Sequence, residues 1–346
     1  MLPSIHPLLE YRGSPRACGK IYGDQQAERL RIFLKNIPDG GLSTRRRRYA
    51  RQCWKILRRW HEPVVEFLHG LAQGSGLSLE ELTALQLQEE YGHDHCHCTA
   101  LGATGPATPD GAALIAQSWD DRPPLYPWPQ LLRMRTDATP ATLTYTMPGL
   151  WAAAGINEHG LALCWTTSGM RPKVPPQPGI PTYSLIAGIL GCRDCSAALA
   201  LVRRTRNAGC FNFFIADTAG EVWVLEAMPG RIEAVQCRDI ITRANHYQCA
   251  TIRRAAKQKL PPSSTKWNSQ SRAARIAALA ERFRGHIDGQ AVETIYRDHA
   301  PKEGLCICQH GTPHLTLDCF YMLPAKKEFR IARGYVCRHD FAVYQV

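Results

Sequence analysis

Cys98, in His97-Cys98-Thr99-Ala100-Leu101, sits where helix-like sequence gives way to strand-rich sequence. One cleavage before it would place a thiol and a new α-amine on the same residue. An α-amine has a reference pKa near 8 and can accept the thiol proton close to neutral pH. Nucleophile and base would then share one residue, the logic of N-terminal threonine catalysis. Taken alone, a cysteine is more often a small buried hydrophobe.

Other reactive residues invite different chemistry. His93, His95 and His97 alternate with Asp94, Cys96 and Cys98, a set of metal-ligand types. A zinc site needs a second ligand pair at a suitable distance. Cys192/Cys195 and Cys306/Cys308 are available, but no spacing repeats a known zinc knuckle, so no metal is expected. An unprocessed, zinc-stabilised binding protein using the His93–Cys98 cluster stays as the alternative reading. Cys192 and Cys195 lack the βαβ context of a redox pair, and Asp194 or Ser196 there suits a helix N-cap. No Gly-x-Ser-x-Gly elbow or phosphate loop is present.

The elements that must position these groups follow from pattern. Of 346 residues, 45% are hydrophobic and 21% charged, as in a globular protein with a sizeable core. The longest apolar runs, such as Tyr183–Leu190, are too short to cross a bilayer. The N-terminus lacks the pattern of an export signal. A cytoplasmic location is therefore expected, with the 14 cysteines as free thiols. The net charge of +12 includes Arg45–Arg48, followed by Arg51, Lys55, Arg58 and Arg59. Trp54, Leu57 and Trp60 interleave at helical spacing, so the run reads as the outer face of an amphipathic helix. A nucleic-acid module would need a binding motif beside the charge, and none is seen. Neither a nucleic-acid nor a membrane partner is expected.

The first hundred residues read as helices over 25–35, 46–60, 63–71 and from Ser78, whose Ser78-x-x-Glu81 pattern is a capping box. Strand hairpins follow. Leu143–Tyr145, Trp151–Ile156 and Leu161–Thr166 flank the turn Asn157-Glu158-His159-Gly160. Phe211–Ala216 and Glu221–Leu225 flank Asp217-Thr218-Ala219-Gly220. Thr316–Leu323 and Phe329–Ala332 flank Pro324-Ala325-Lys326. Helices over 184–190, 196–205, 271–283 and 290–296 lie between them. Hairpins alternating with helices predict an α+β fold of antiparallel sheets with helices outside. Met170–Pro181 and Lys259–Asn268 read as surface loops.

Several motifs in order resemble the penicillin acyltransferase (acyl-coenzyme A:isopenicillin N acyltransferase) family of self-processing N-terminal-nucleophile cysteine hydrolases. Cys98-Thr99 with Gln117-Ser118-Trp119-Asp120 is similar to the start of that family's mature chain. Gly155-Ile156-Asn157-Glu158-His159-Gly160-Leu161 resembles its Gly-x-Asn-x-x-Gly-Leu hairpin. Phe211-Asn212-Phe213 with Asp217, Gly220 and Glu226 resembles the next hairpin. Ala244-Asn245-His246-Tyr247 resembles a Thr-Asn-His segment, Ser269 with Arg272 a Ser-x-x-Arg helix start, and Ile307-Cys308-Gln309-His310 an Ile-Cys-Arg-His segment. Arg12-Gly13-Ser14-Pro15 with Gly19 and Gly23, and Leu79–Glu90, resemble the pro-segment. The chain departs from the family at His97, often glycine, at Ala100, a threonine in the penicillin enzyme, and at Gln309.

The resemblance implies a four-layer αββα sandwich over 98–346, preceded by a helical pro-segment over 1–97. It implies self-cleavage at His97/Cys98, with the pro-segment staying associated. Cys98 would be the nucleophile, Asp120 would orient the α-ammonium or substrate, and Asn245 would donate to the oxyanion. Asn157, Glu226, Ser269 and Arg272 would support the substrate or the site. The implied activity is amide hydrolysis or acyl transfer on a small-molecule amide or acyl donor. No cofactor is implied, with acyl-coenzyme A as an optional co-substrate. Tyr126, Trp128 and Trp151 suit either an acyl pocket or core packing.

Overall fold

The computed structural model describes residues 5–36, 42–91, 98–168, 177–260, 269–299, 305–311 and 314–346. Strand β1 (Leu8–Gly13) leads directly into helix α1 (Pro15–Lys35), whose N-cap Ser14 accepts from the Ala17 N–H. Helix α2 (Thr44–Leu57) is capped by Ser43, α3 (Glu62–Ser75) ends at left-handed Gly76, and α4 (Leu79–Gln86) carries the expected Ser78/Glu81 capping box. Helix α1 begins ten residues before the predicted start at Gln25. Gly19 and Gly23 are poor helix formers by propensity, and here they serve close approach. A Cβ on Gly19 would lie 2.2 Å from the Phe67 carbonyl oxygen, and one on Gly70 would lie 2.0 Å from that of Arg16. The same contact carries α3 past its predicted end at Leu71.

The run of arginines lies on α2 as expected, and its charge is partly matched. Arg47 and Arg51 pair with Glu80, at 3.2 and 2.9 Å, and the Arg46 guanidinium stacks over Tyr91.

After Cys98 come β2 (Thr99–Ala103), β3 (Leu114–Asp121), β4 (Gln130–Thr136), β5 (Thr142–Thr146), β6 (Ala154–Asn157) and β7 (Ala162–Thr167). Helices α5 (Thr182–Leu190) and α6 (Cys195–Arg203) are followed by β8 (Phe211–Ala216), β9 (Val222–Met228), β10 (Arg231–Cys237) and β11 (Ile240–Arg243). The chain closes with α7 (Ala250–Ala255), α8 (Ser269–Glu281), α9 (Gly289–Tyr296), β12 (Leu315–Leu323), β13 (Glu328–Arg333) and β14 (Ala342–Gln345). Asp194 caps α6, accepting from the Ala197 N–H at 2.8 Å. Both loops read from composition lie largely outside the described residues.

The strands form two sheets, in the orders β1-β4-β5-β6-β7-β8-β9-β10 and β11-β2-β3-β12-β13-β14. The faces between them are largely apolar: Ala100, Ile115, Trp119 and Phe320 meet Leu163, Trp165 and Phe213, with buried Gln117 and Asp318 bonding across to Trp165 and Tyr145. On the far side of the six-stranded sheet, Leu101, Ala103, Leu114 and Ala116 pack with Ile276 of α8 and Ile295 and Tyr296 of α9. On the far side of the eight-stranded sheet lie α5 and the N-terminal helices. The architecture is therefore α+β with four layers, αββα. At the centre, Trp165 meets Trp119, Tyr183 and Phe211 edge to face. Truncating such a side chain typically costs about 3–5 kcal/mol.

The N-terminal segment holds more than helices. Strand β1 runs parallel to β4, from Leu8 opposite Leu131 to Gly13 opposite Thr136, and so extends the larger sheet. The Tyr22 hydroxyl accepts from the Gly149 N–H and the Gln130 amide, and the Gln86 amide donates to the Gly149 carbonyl. Phe33 packs on Trp128 and Phe67 on Trp151, so these two tryptophans meet the N-terminal helices. Beyond α4, buried Glu90 accepts from the N–H and hydroxyl of Thr182 at the start of α5. A carboxylate there is favoured by the helix dipole.

Candidate active site

Cys98 immediately precedes β2, an interior strand of the smaller sheet, and is 3% exposed. Strand alternation sorts its neighbours. Cys98 and Ala100 join the core between the sheets, while Thr99 turns to the opposite face, toward α8. Thr99 is paired with Ser118 on β3, two residues before Asp120, which brings the acid to the same strand end as the thiol.

One buried side chain gathers the site. The Arg272 guanidinium, on α8, donates to the Cys98 carbonyl at 2.9 Å and the Thr99 hydroxyl at 2.8 Å. It also donates to Asn245 Oδ1 at 2.7 Å. Arg272 has no exposed surface, so these charge-assisted bonds are made away from water. Because Oδ1 faces the guanidinium, the Asn245 amide orientation is set. Its Nδ2 points to Thr167, donating to the carbonyl at 3.2 Å and the hydroxyl at 3.0 Å. Ser269, at the first position of α8, accepts from the Asn245 backbone N–H at 2.7 Å. Its hydroxyl also meets His246 Nδ1 at 2.6 Å. Burial, then the charges of Arg272, Arg243 and Arg253, hold His246 down to about 4, so the ring is neutral and Nδ1 can accept the serine proton.

Asp120 is fully buried near the end of β3. Thr316, its register partner on β12, donates to Oδ1 at 2.6 Å, and Ser118 donates to Oδ2 at 3.2 Å. Burial outweighs these bonds and the nearby Arg272 charge, pushing the carboxyl up to about 7. Burial, then Asp120, push the Cys98 thiol well above its ordinary value, partly offset by the Asp120 backbone N–H. In the intact chain the thiol is therefore held protonated beside an acid that ionises near neutral pH.

The structure brings together Cys98, Asp120, Asn245, Ser269 and Arg272. Asn157 and Glu226 are tied up elsewhere. Asn157 Oδ1 accepts from the N–H groups of His159 and Leu161, closing the β6–β7 turn, while its amide donates to the carbonyls of Leu190 and Cys192. Glu226 pairs with Arg243 and accepts from the N–H groups of Gln248 and Cys249, bracing the segment that carries Asn245. His97, Cys96 and the histidine cluster from His93 lie outside the described residues. Thr99, Ser118 and His246, quoted in the sequence only as members of motifs, and Thr167 and Thr316 complete the network with no role assigned to them beforehand. Only the cross-strand register exposes the Thr316–Asp120 pair, and no local pattern signals it.

No curated protein matches the chain. Two solved structures that resemble it are a mutant conjugated bile acid hydrolase from Clostridium perfringens and penicillin V acylase from Agrobacterium tumefaciens. The first has a TM-score of 0.45 and 12% identity, covering 72% of this chain and 97% of that one. The second has a TM-score of 0.45 and 12% identity, covering 68% and 83%. The family model described as "Acyl-coenzyme A:6-aminopenicillanic acid acyl-transferase" matches residues 107–329, more than half of the 346 and inclusive of Asp120, Asn245, Ser269 and Arg272. On the extent of that match, the chain belongs to the acyl-coenzyme A:6-aminopenicillanic acid acyl-transferase family.

Proposed function

We propose that the chain is a self-cleaving precursor whose product uses Cys98 as an N-terminal nucleophile on linear amides or acyl thioesters. The observation that carries this reading is the buried Arg272, which joins the Cys98 carbonyl to the amide of Asn245.

In the first step the Cys98 thiol adds to the His97 carbonyl carbon. Asp120, with its carboxyl near 7, is the candidate acceptor for the thiol proton. The His97–Cys98 C–N bond breaks, the nitrogen takes a proton, and a thioester joins the two parts. Water hydrolyses the thioester, freeing a His97 carboxylate, the Cys98 thiol and the Cys98 α-amine. The boundary separates 1–97 from 98–346, which leaves 346 − 97 = 249 residues on the catalytic side. The pro-segment stays associated through β1 and α1–α4.

In the mature site the α-amine accepts the thiol proton, and the ionised Asp120 orients the resulting ammonium. The thiolate attacks the substrate carbonyl. Asn245 Nδ2, held in place by the Arg272 bond to Oδ1, keeps one hydrogen on Thr167 and offers the other to the oxyanion, a donor typically worth about 3 kcal/mol. The leaving amine or thiol takes a proton from the α-ammonium. Water then completes hydrolysis of the acyl-cysteine, or an acceptor amine completes acyl transfer. A small-molecule amide is the expected substrate, with acyl-coenzyme A as an optional acyl donor.

Intact-mass measurement of freshly purified chain tests this. Two fragments meeting at His97/Cys98, absent in Cys98→Ala, are expected. A single uncut chain that carries zinc on the His93–Cys98 cluster would replace this reading with that of a zinc-stabilised binding protein.

A further inference from the structure

The second concentration of reactive side chains lies at the end of the smaller sheet, and it uses none of the groups assigned above. His299 follows α9, Cys308 and His310 lie on the segment leading into β12, and Cys337 lies in the turn after β13. One ligand atom from each falls within 4.8 Å of all the others. The central atom is His310 Nε2. It lies 3.0 Å from His299 Nε2, 3.3 Å from Cys308 Sγ and 3.2 Å from Cys337 Sγ.

Hydrogen bonding does not account for this convergence. A neutral imidazole nitrogen either donates one hydrogen or offers one lone pair, enough for one partner. A metal centre does account for it. With metal–sulfur bonds of about 2.3 Å and metal–nitrogen bonds of about 2.0 Å, a tetrahedral site has nitrogen–nitrogen edges of about 3.3 Å and nitrogen–sulfur edges of about 3.5 Å. We propose that His299, Cys308, His310 and Cys337 form a four-coordinate Cys2His2 site for a divalent transition metal, with zinc the ion that its donors favour. Thiolate and imidazole donors disfavour magnesium and calcium, which take oxygen ligands.

Four protein ligands leave no open position, so the site is structural rather than catalytic. Its surroundings fit. The His310 ring is stacked on Tyr335 at 4.0 Å, and Arg338 lies over the same tyrosine. Cys308 is buried, Cys337 and His310 are half-buried and His299 is exposed, which leaves the His299 side as the entry path. Binding releases the two thiol protons. The clamp also reaches the active site. Gln309, between two ligands, donates its backbone N–H to Thr316 at 2.9 Å, and Thr316 donates to Asp120.

The test uses the untagged full-length chain purified from zinc-supplemented medium under reducing conditions, with metal measured by plasma mass spectrometry. One equivalent of zinc per chain is expected. Exchange with cobalt(II) should give the visible bands of tetrahedral cobalt and near-ultraviolet thiolate charge-transfer bands. Cys337→Ser should lose both, and Cys98→Ser should keep both. His299→Gln alters only an exposed ligand, so it guards against misfolding of the cysteine variants; it should weaken zinc binding about tenfold or more. A folded wild-type chain without metal would overturn the proposal. So would metal retained at full stoichiometry in Cys337→Ser, or a Cys308–Cys337 disulfide in the freshly purified protein.

Discussion

Two cysteine environments beside one sheet point to opposite uses of the same side chain. Around Cys98 stand a buried acid and a buried guanidinium that holds the cysteine's own carbonyl. Around Cys308 stand two imidazoles and a second thiol. The first setting controls one proton: burial, then Asp120, hold the thiol protonated beside an acid that itself ionises near neutral pH. The second gathers lone pairs, which is useful only to a cation. Burial raises the thiol in both places. The difference therefore lies in what the surrounding groups offer: charge and a proton acceptor at one, ligand atoms at the other.

The sharpest way to break this contrast is Cys98→Ala. It should abolish cleavage and all turnover while leaving metal content unchanged, read by intact mass and metal analysis of one sample. Cleavage that persists would move the nucleophile to Cys96. Next in size, Asn245→Ala should lower kcat by about 10²–10³ with little change in KM, measured by steady-state kinetics on the mature protein.

A smaller effect concerns pH. Asp120 and Glu90 are both pushed up to about 7 in the folded chain, from 3.8 and 4.5. Between about pH 4 and 7 these two carboxyls bind more protons in the folded state than in the unfolded one, and His246, held down to about 4, offsets only part of that. Stability should fall as pH rises through that window and level off above it, by roughly a few kcal/mol in all. Denaturation of the uncut Cys98→Ala chain across pH measures this, and adding Asp120→Asn should flatten part of the slope. Cleavage of the wild-type precursor should speed up over the same window as Asp120 ionises. Smallest, Thr316→Val removes a hydrogen bond to the ionised acid. It should cost about 1 kcal/mol and shift the pH profile of cleavage upward.

What could be read in the sequence follows from how local each signal is. The turns at Asn157–Gly160 and Asp217–Gly220 and the caps at Ser78 and Asp194 are written in adjacent residues, and the structure has them there. Strand β1 pairs with β4 across more than a hundred residues, and nothing near Leu8 announces it. Gly19 and Gly23 are poor helix formers locally, and their purpose, close approach, lies on another helix. Asp120 and Asn245 came into view through family resemblance, and residue type alone does not single them out. The clustered Cys308 and His310 were legible as cysteine and histidine in a motif. Their partners, His299 and Cys337, are supplied by the residues just after α9 and by the turn between β13 and β14, which no spacing rule anticipates.

The membership of β1 in the larger sheet has a consequence for the history of the molecule. An uncut chain docks its own edge strand, with the tether holding the pieces at high effective concentration. Once the His97–Cys98 bond is broken, the same interface joins two separate polypeptides. A mature molecule that comes apart at low concentration must find its partner again by diffusion. The cut would thus work as a ratchet: the fold is reached by one chain and afterwards persists by slow unfolding, a matter of rate more than of equilibrium.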